Sequence, residues 1–202
     1  MKTIIYENQK LEVSKVVCIG RNYVEHIEEL GNEIPSSMVV FNKPNSAISD
    51  TLYYVSEHCR FEGEICFLIQ NNKIEAVGFG LDLTHIDMQN HLKAKGLPWE
   101  RAKAFDNSAV LSEFVPLNAD IRTLEMKLFI NNKLVQFANY DLMMYKPDTM
   151  LLEIQSFMTL EDNDIIMSGT PKGVGTYSSG DSFIGQVYSG HTLLIEKEWL
   201  VV

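Results

Sequence analysis

The chain has 202 residues, 46% hydrophobic and 22% charged, the balance of a globular protein long enough to close a core. A formal net charge of −10 argues against nucleic acid and against an anionic membrane surface, both of which select clustered Lys and Arg. A small anionic substrate would need a metal or a few placed cations to overcome that charge.

Residues 3–13, "TIIYENQKLEV", alternate like an opening hairpin and contain no signal-type apolar block. "NYVEHIEELGN" (22–32) has helical spacing and a glycine stop. "EICFLIQNNKIEAVGFGLDL" (64–83) places two apolar runs around Asn71-Asn72, a hairpin turn signal. "THIDMQNHLKAKG" (84–96) predicts a helix with Thr84 as N-cap, ending at Gly96. "EMKLFINNKLVQFAN" (125–139) repeats the hairpin pattern around Asn131-Asn132. "KPDTMLLEIQSFM" (146–158) predicts a helix after Pro147 with Met150, Leu151, Ile154 and Phe157 on its apolar face. "DNDIIMSGT" (162–170) and "HTLLIEKEWLVV" (191–202) are further strands. The expectation is a mainly β chain with short helices, of α+β class. No repeat or Pro/Gly/Ser-rich linker divides it, so one domain over 1–202 is expected. Cys18, Cys59 and Cys66 lack metal-finger spacing and read as reduced thiols. No apolar run nears the ~18 residues of a membrane span, so a cytoplasmic location is expected.

Glu62 and Glu64 enter the apolar run "FEGEICFLI" one residue apart. On a strand they point to the same side, and Gly63 leaves the other side free for close packing. They are either a solvent-facing edge or a pair at the rim of a core. At a rim they need a positive partner, and carboxylate oxygens suit Mg²⁺ or Mn²⁺. Asp82, flanked by apolar residues, is the candidate third ligand, with a capping or turn role as the alternative; Asp87 reads as helix surface. His26 and Glu29 share a helix face, either as a surface pair or as an imidazole oriented by a carboxylate, the construction of a general base for water. Lys103, between alanines, is either a helix-end lysine or a desolvated one with a lowered pKa. Thr170 heads a Gly/Pro turn, which is either one that aims N–H groups and a hydroxyl at a carboxylate or simply a turn. "GFGLDL" lacks the third glycine of a dinucleotide loop and "GTPKGVG" lacks a phosphate-loop ending.

From about Val16 to the C-terminus the chain carries, in order, "CIGRNYVEHIEEL", "FNKP", "FEGEICFLI", "GFGLDLTHIDMQ", "KGLPWERAKAFD" and "SGTPKGVG". In this series it resembles the fumarylacetoacetate hydrolase family, in its short single-domain acylpyruvate hydrolase/oxaloacetate decarboxylase branch. The resemblance implies a mixed β-roll, a Mg²⁺ or Mn²⁺ triad on Glu62, Glu64 and Asp82, and an active-site lysine at Lys103. It implies a water-activating His26–Glu29 pair in a lid segment, and a pocket lined by Arg21, Gln89 and Thr170. It implies a homodimer acting on a small anionic keto acid. The implied reaction is hydrolysis of a C–C bond in a 3-acylpyruvate-type 1,3-diketo acid. Decarboxylation of oxaloacetate or isomerisation of a keto acid at the same metal is the alternative, and a metal-containing keto-acid-binding protein without turnover the third. The chain departs from the family at "THID", where Ile86 stands in place of an arginine that helps hold an anionic substrate; His85 and Lys172 are candidate replacements for that charge.

Overall fold

Two-residue turns of left-handed backbone organise the strands. Asn71-Asn72 (φ 50° and 60°) join Gly63–Gln70 to Lys73–Asp82, and Asn131-Asn132 (φ 49° and 65°) join Leu124–Ile130 to Lys133–Asn139. Asparagine tolerates this conformation and its handedness matches the twist of paired strands, so both predicted hairpins form where the Asn pairs stand. Glu7-Asn8 close the N-terminal hairpin in the same way.

The computed structural model describes residues 1–202. Its largest sheet has eight strands. Gly63–Gln70 lies at its centre, between Ile165–Met167 and Lys73–Asp82. Ile165–Met167 also runs parallel to Lys15–Gly20, which carries Val39–Pro44 on its other edge. A four-stranded sheet, ordered Lys133–Asn139, Leu124–Ile130, Ser182–Ser189 and Thr192–Leu200, packs over one face. A small sheet of Gly175–Thr176, Cys59–Phe61 and Thr84–His85 extends the strand that leads into Glu62.

The central strand divides its side chains between two cores. Ile65, Phe67 and Ile69 join a 29-residue cluster with Leu128 and Phe183 of the four-stranded sheet. Cys66 and Leu68 join a 15-residue cluster on the opposite face with Val16, Cys18 and Met167. The period of two thus puts Glu62 and Glu64 on the side of the smaller cluster. Gly63, on the other side, meets Phe79, Leu128 and Gln136 so closely that a Cβ would lie 2.9 Å from the Gln136 oxygen.

Four helices fill the connections. α1 (Val24–Glu29) is shorter than the 22–32 pattern predicted. α2 (Ile86–Lys95) ends at Gly96 in the left-handed region (φ 63°), as expected. Its N-cap is His85 rather than Thr84, which remains in a strand and spends its hydroxyl on Glu62. α3 (Glu100–Lys103) is a single turn ending in the lysine singled out above. α4 (Pro147–Phe157) buries Met150 and Ile154, but Phe157 is 58% exposed, so its apolar stripe is narrower than the sequence predicted. No helix is long and apolar enough to cross a membrane.

Candidate metal centre and active site

The register of the central hairpin builds the acidic site. Glu64 pairs with Gly80, and the Asp82 amide donates to the Glu62 carbonyl at 2.8 Å, so Glu62 and Asp82 face one another on the same sheet face. The three carboxylates, all buried, bring ligand oxygens within 4.8 Å of one another. Residues twenty apart in sequence become neighbours because a two-residue turn folds the strand back on itself.

Three buried cations touch this cluster. Lys103 Nζ donates to Glu62 Oε2 (2.8 Å) and to Asp82 Oδ2 (2.5 Å). Arg60, two residues before Glu62 and on the same face, donates through Nε and Nη2 to Glu62 Oε1 at 2.9 and 2.7 Å. Lys43, from the "FNKP" strand, sits 2.7 Å from Asp82 Oδ1 and has no exposure at all. Its ammonium has four other oxygens within hydrogen-bond reach, the Leu83, Lys103 and Ser108 carbonyls and the Ser108 hydroxyl, and its contact with Asp82 is an ion pair without hydrogen-bond geometry. Asp82 Oδ1 therefore accepts no hydrogen bond, although fully enclosed.

The carboxylates differ in charge state because their partners differ. Burial raises the Glu62 pKa, but Lys103 and Arg60 outweigh it and hold the group well below the carboxylate range. Glu64 touches no cation; it accepts one hydrogen bond, from the Gly169 amide at 2.7 Å. Burial, reinforced by Asp82 and Glu62, pushes Glu64 well above the ordinary value. An all-oxygen set of three buried carboxylates, one of which, Glu64, has no cation in contact, fits a divalent cation of the Mg²⁺ or Mn²⁺ kind. Lys103 is desolvated as predicted, but its shift has the opposite sign. Burial alone lowers its pKa, and the Asp82 and Glu62 carboxylates more than reverse this, so it stays an ammonium.

α1 covers the cluster. His26 is buried, and its Nδ1 lies 3.2 Å from Glu29 Oε2. Glu29 is fixed from behind by the Gly173 amide at 2.9 Å. With Nδ1 as donor to Glu29, Nε2 is left as acceptor. Burial lowers the His26 pKa despite the opposing pull of Glu62 and Glu29, so the ring is neutral at neutral pH.

One cavity brings His26 together with Glu62, Glu64, Asp82 and Lys103. Arg21, Gln89 and Thr170 line the same cavity, and Glu29 stands behind it as the partner of His26. Its free volume of about 30 Å³ holds roughly two waters. The turn after Met167 aims its Gly169 amide at a carboxylate as expected, but the Thr170 hydroxyl donates to the Gly63 carbonyl and accepts from Gln136, both at 2.9 Å. Neither proposed replacement for the missing arginine reaches the cavity. His85 stacks on Phe105 with centroids 4.2 Å apart, and Lys172 is exposed and paired with Glu25 at 3.1 Å. Asp87 is a surface residue beside His58, as expected. Sequence reasoning overlooked Lys43, Arg60 and Gln136. Arg60 had a readable signal, since it stands in phase with Glu62 and Glu64; Lys43 reaches Asp82, and Gln136 reaches Thr170 from behind the cavity, on strands whose position no local pattern specifies.

Known proteins share this architecture. The Escherichia coli oxaloacetate tautomerase YcgM is 36% identical over 200 residues, spanning 90% of this chain and 91% of that protein. The mitochondrial oxaloacetate decarboxylase of Dictyostelium discoideum is 32% identical, spanning 82% and 85%. The crystal structure of fumarylpyruvate hydrolase from Pseudomonas aeruginosa, in complex with Mn²⁺ and pyruvate, superposes with a TM-score of 0.89 at 26% identity, covering 99% of this chain and 95% of that one. The model of the fumarylacetoacetate (FAA) hydrolase C-terminal domain matches residues 15–196, and with these relatives it establishes that the chain belongs to the fumarylacetoacetate hydrolase family of enzymes.

Proposed function

We propose that this chain is a divalent-metal-dependent enzyme that interconverts the keto and enol forms of a small α-keto acid of the oxaloacetate type. The observation that carries the reading is the buried Glu62–Glu64–Asp82 cluster facing a neutral, carboxylate-oriented His26 across one cavity. The names of the relatives, tautomerase and decarboxylase among them, support the same substrate class. Glu62, Glu64 and Asp82 would hold a divalent cation, which would supply Lewis acidity to a bound keto acid. His26 Nε2 accepts the proton that leaves the carbon beside the ketone, and Glu29 holds the ring in the tautomer that permits this. Lys103, kept as an ammonium, offsets the negative charge that develops on the ketone oxygen. The enol forms when His26 Nε2 passes the proton on to that oxygen, which returns the ring to its neutral form, and the reverse path restores the ketone.

The hydrolytic reading expected from the sequence uses the same residues. His26 would then activate water for attack on the distal carbonyl of an acylpyruvate, and the fumarylpyruvate hydrolase relative favours it. Decarboxylation needs the metal cluster and Lys103 but no base at His26. The test is to follow enol-oxaloacetate and acetylpyruvate by ultraviolet absorbance with Mn²⁺ or chelator, for wild type and Glu64→Ala. The expected outcome is metal-dependent keto–enol interconversion, at least about a hundredfold slower in the variant. Metal-dependent cleavage of acetylpyruvate without interconversion would replace this reading with the hydrolytic one.

A further inference from the structure

Ile86, Gln89 and Lys93 stand at i, i+3 and i+7 on α2, one face of the helix. Gln89 and Lys93 line the cavity. The charge missing from the first turn of this face is therefore present two turns later. Lys93 Nζ meets Arg21 Nη2 at a single neutral acceptor, the side-chain oxygen of Asn32, at 3.3 and 3.4 Å. Both bonds are long, and Asn32 carries no charge to balance the two cations. The three inner cations, Arg60, Lys43 and Lys103, are paired with Glu62 and Asp82, whereas Arg21 and Lys93 have no carboxylate within ion-pair distance, so the cavity carries two cations without an anion. The Trp99 ring, 5.7 Å from Lys93 Nζ, confines the ammonium from the other side. Partial burial and the neighbouring Arg21 lower the Lys93 pKa, the signature of a cation short of an anion.

We propose that Lys93 and Arg21 form the receptor for a second carboxylate of the substrate, one of whose oxygens takes the place marked by Asn32 Oδ1, and that Lys93 thereby sets a preference for dicarboxylic over monocarboxylic acids. The proposal deepens the keto-acid reading and rests on it for the position of the first carboxylate at the metal cluster. Malate and lactate test it, because they differ only by one carboxylate and are chemically stable. Their binding to the Mn²⁺-loaded protein is measured by calorimetry for wild type, Lys93→Met and Lys93→Arg. Wild type should bind malate about ten- to a hundredfold more tightly than lactate. Lys93→Met should remove most of that preference and leave lactate unchanged, and Lys93→Arg should restore it. Equal binding of the two acids by wild type, or a loss in Lys93→Met shared equally by both, would overturn the receptor. The measurement reads binding without turnover, so a chain that failed to interconvert oxaloacetate would still give a result on Lys93.

Discussion

At the scale of single residues, environment rather than residue type sets what each group does. Glu62 and Glu64 are the same amino acid two positions apart, yet Lys103 and Arg60 keep one charged while burial beside Asp82 raises the other. The same logic governs His26, whose pKa burial holds below the ordinary 6.5. A base must be unprotonated, so turnover of wild type should fall on the acid side with a midpoint below 6.5. Folding stability should fall there too. As pH drops below 6.5 the unfolded chain binds a proton that folded His26 does not, until pH reaches the lowered folded value. His26→Ala should abolish proton transfer and leave Mn²⁺ binding intact. Retention of the wild-type acid limb by that variant, at measurable activity, would assign the base to another group. The His26–Glu29 pair and the Glu62–Glu64 alternation were legible in the sequence because both follow from spacing along one element. The direction of the Lys103 shift was not, because the two carboxylates that reverse it are 21 and 41 positions away.

At the scale of elements, the loop after Ile165–Met167 serves both halves of the site. Gly169 reaches Glu64, and four residues on, Gly173 reaches Glu29. Gly173 has φ +95°, and a Cβ there would lie 2.0 Å from the Val135 carbonyl oxygen of the four-stranded sheet. Gly31, after α1, also has positive φ (+62°) but nothing within 4 Å of a Cβ. Gly31→Ala should therefore cost only the backbone preference, about 1 kcal/mol. Gly173→Ala should cost about 2–4 kcal/mol, strain plus collision, and should also depress turnover by loosening Glu29 from behind His26. Urea unfolding of the two variants checks the order; equal midpoints would show that the loop relaxes freely around residue 173. Hairpins were readable from their Asn pairs and α2 from its Gly96 stop. The N-cap of α2 was misread because Thr84 has a stronger use, its hydroxyl being 3.0 Å from the buried Glu62 carboxylate.

At the scale of the whole molecule, a chain of net charge −10 concentrates positive side chains around one acidic cluster. A divalent cation held by Glu62, Glu64 and Asp82 would join the two hairpin strands and would stabilise the fold by linkage. At a free Mn²⁺ concentration a hundred times its dissociation constant the gain should be about 2.7 kcal/mol, seen as a rise in melting temperature that chelator reverses. Glu64→Ala should lose that rise. An undiminished shift in the variant would place the ion elsewhere. Sequence alone determined the strand-rich class, the hairpins, the in-phase glutamates, the His–Glu pair and the family, since each is written in local spacing or in motifs carried along the chain. Only the tertiary structure decided which cations face those carboxylates. Lys43 and Arg60 arrive with the sheet pairing, and Lys93 meets Arg21 across the cavity mouth while His85 and Lys172 turn away. Charge balance in a buried site depends on neighbours brought together by strand register and helix docking, and those distances have no counterpart in the order of the residues.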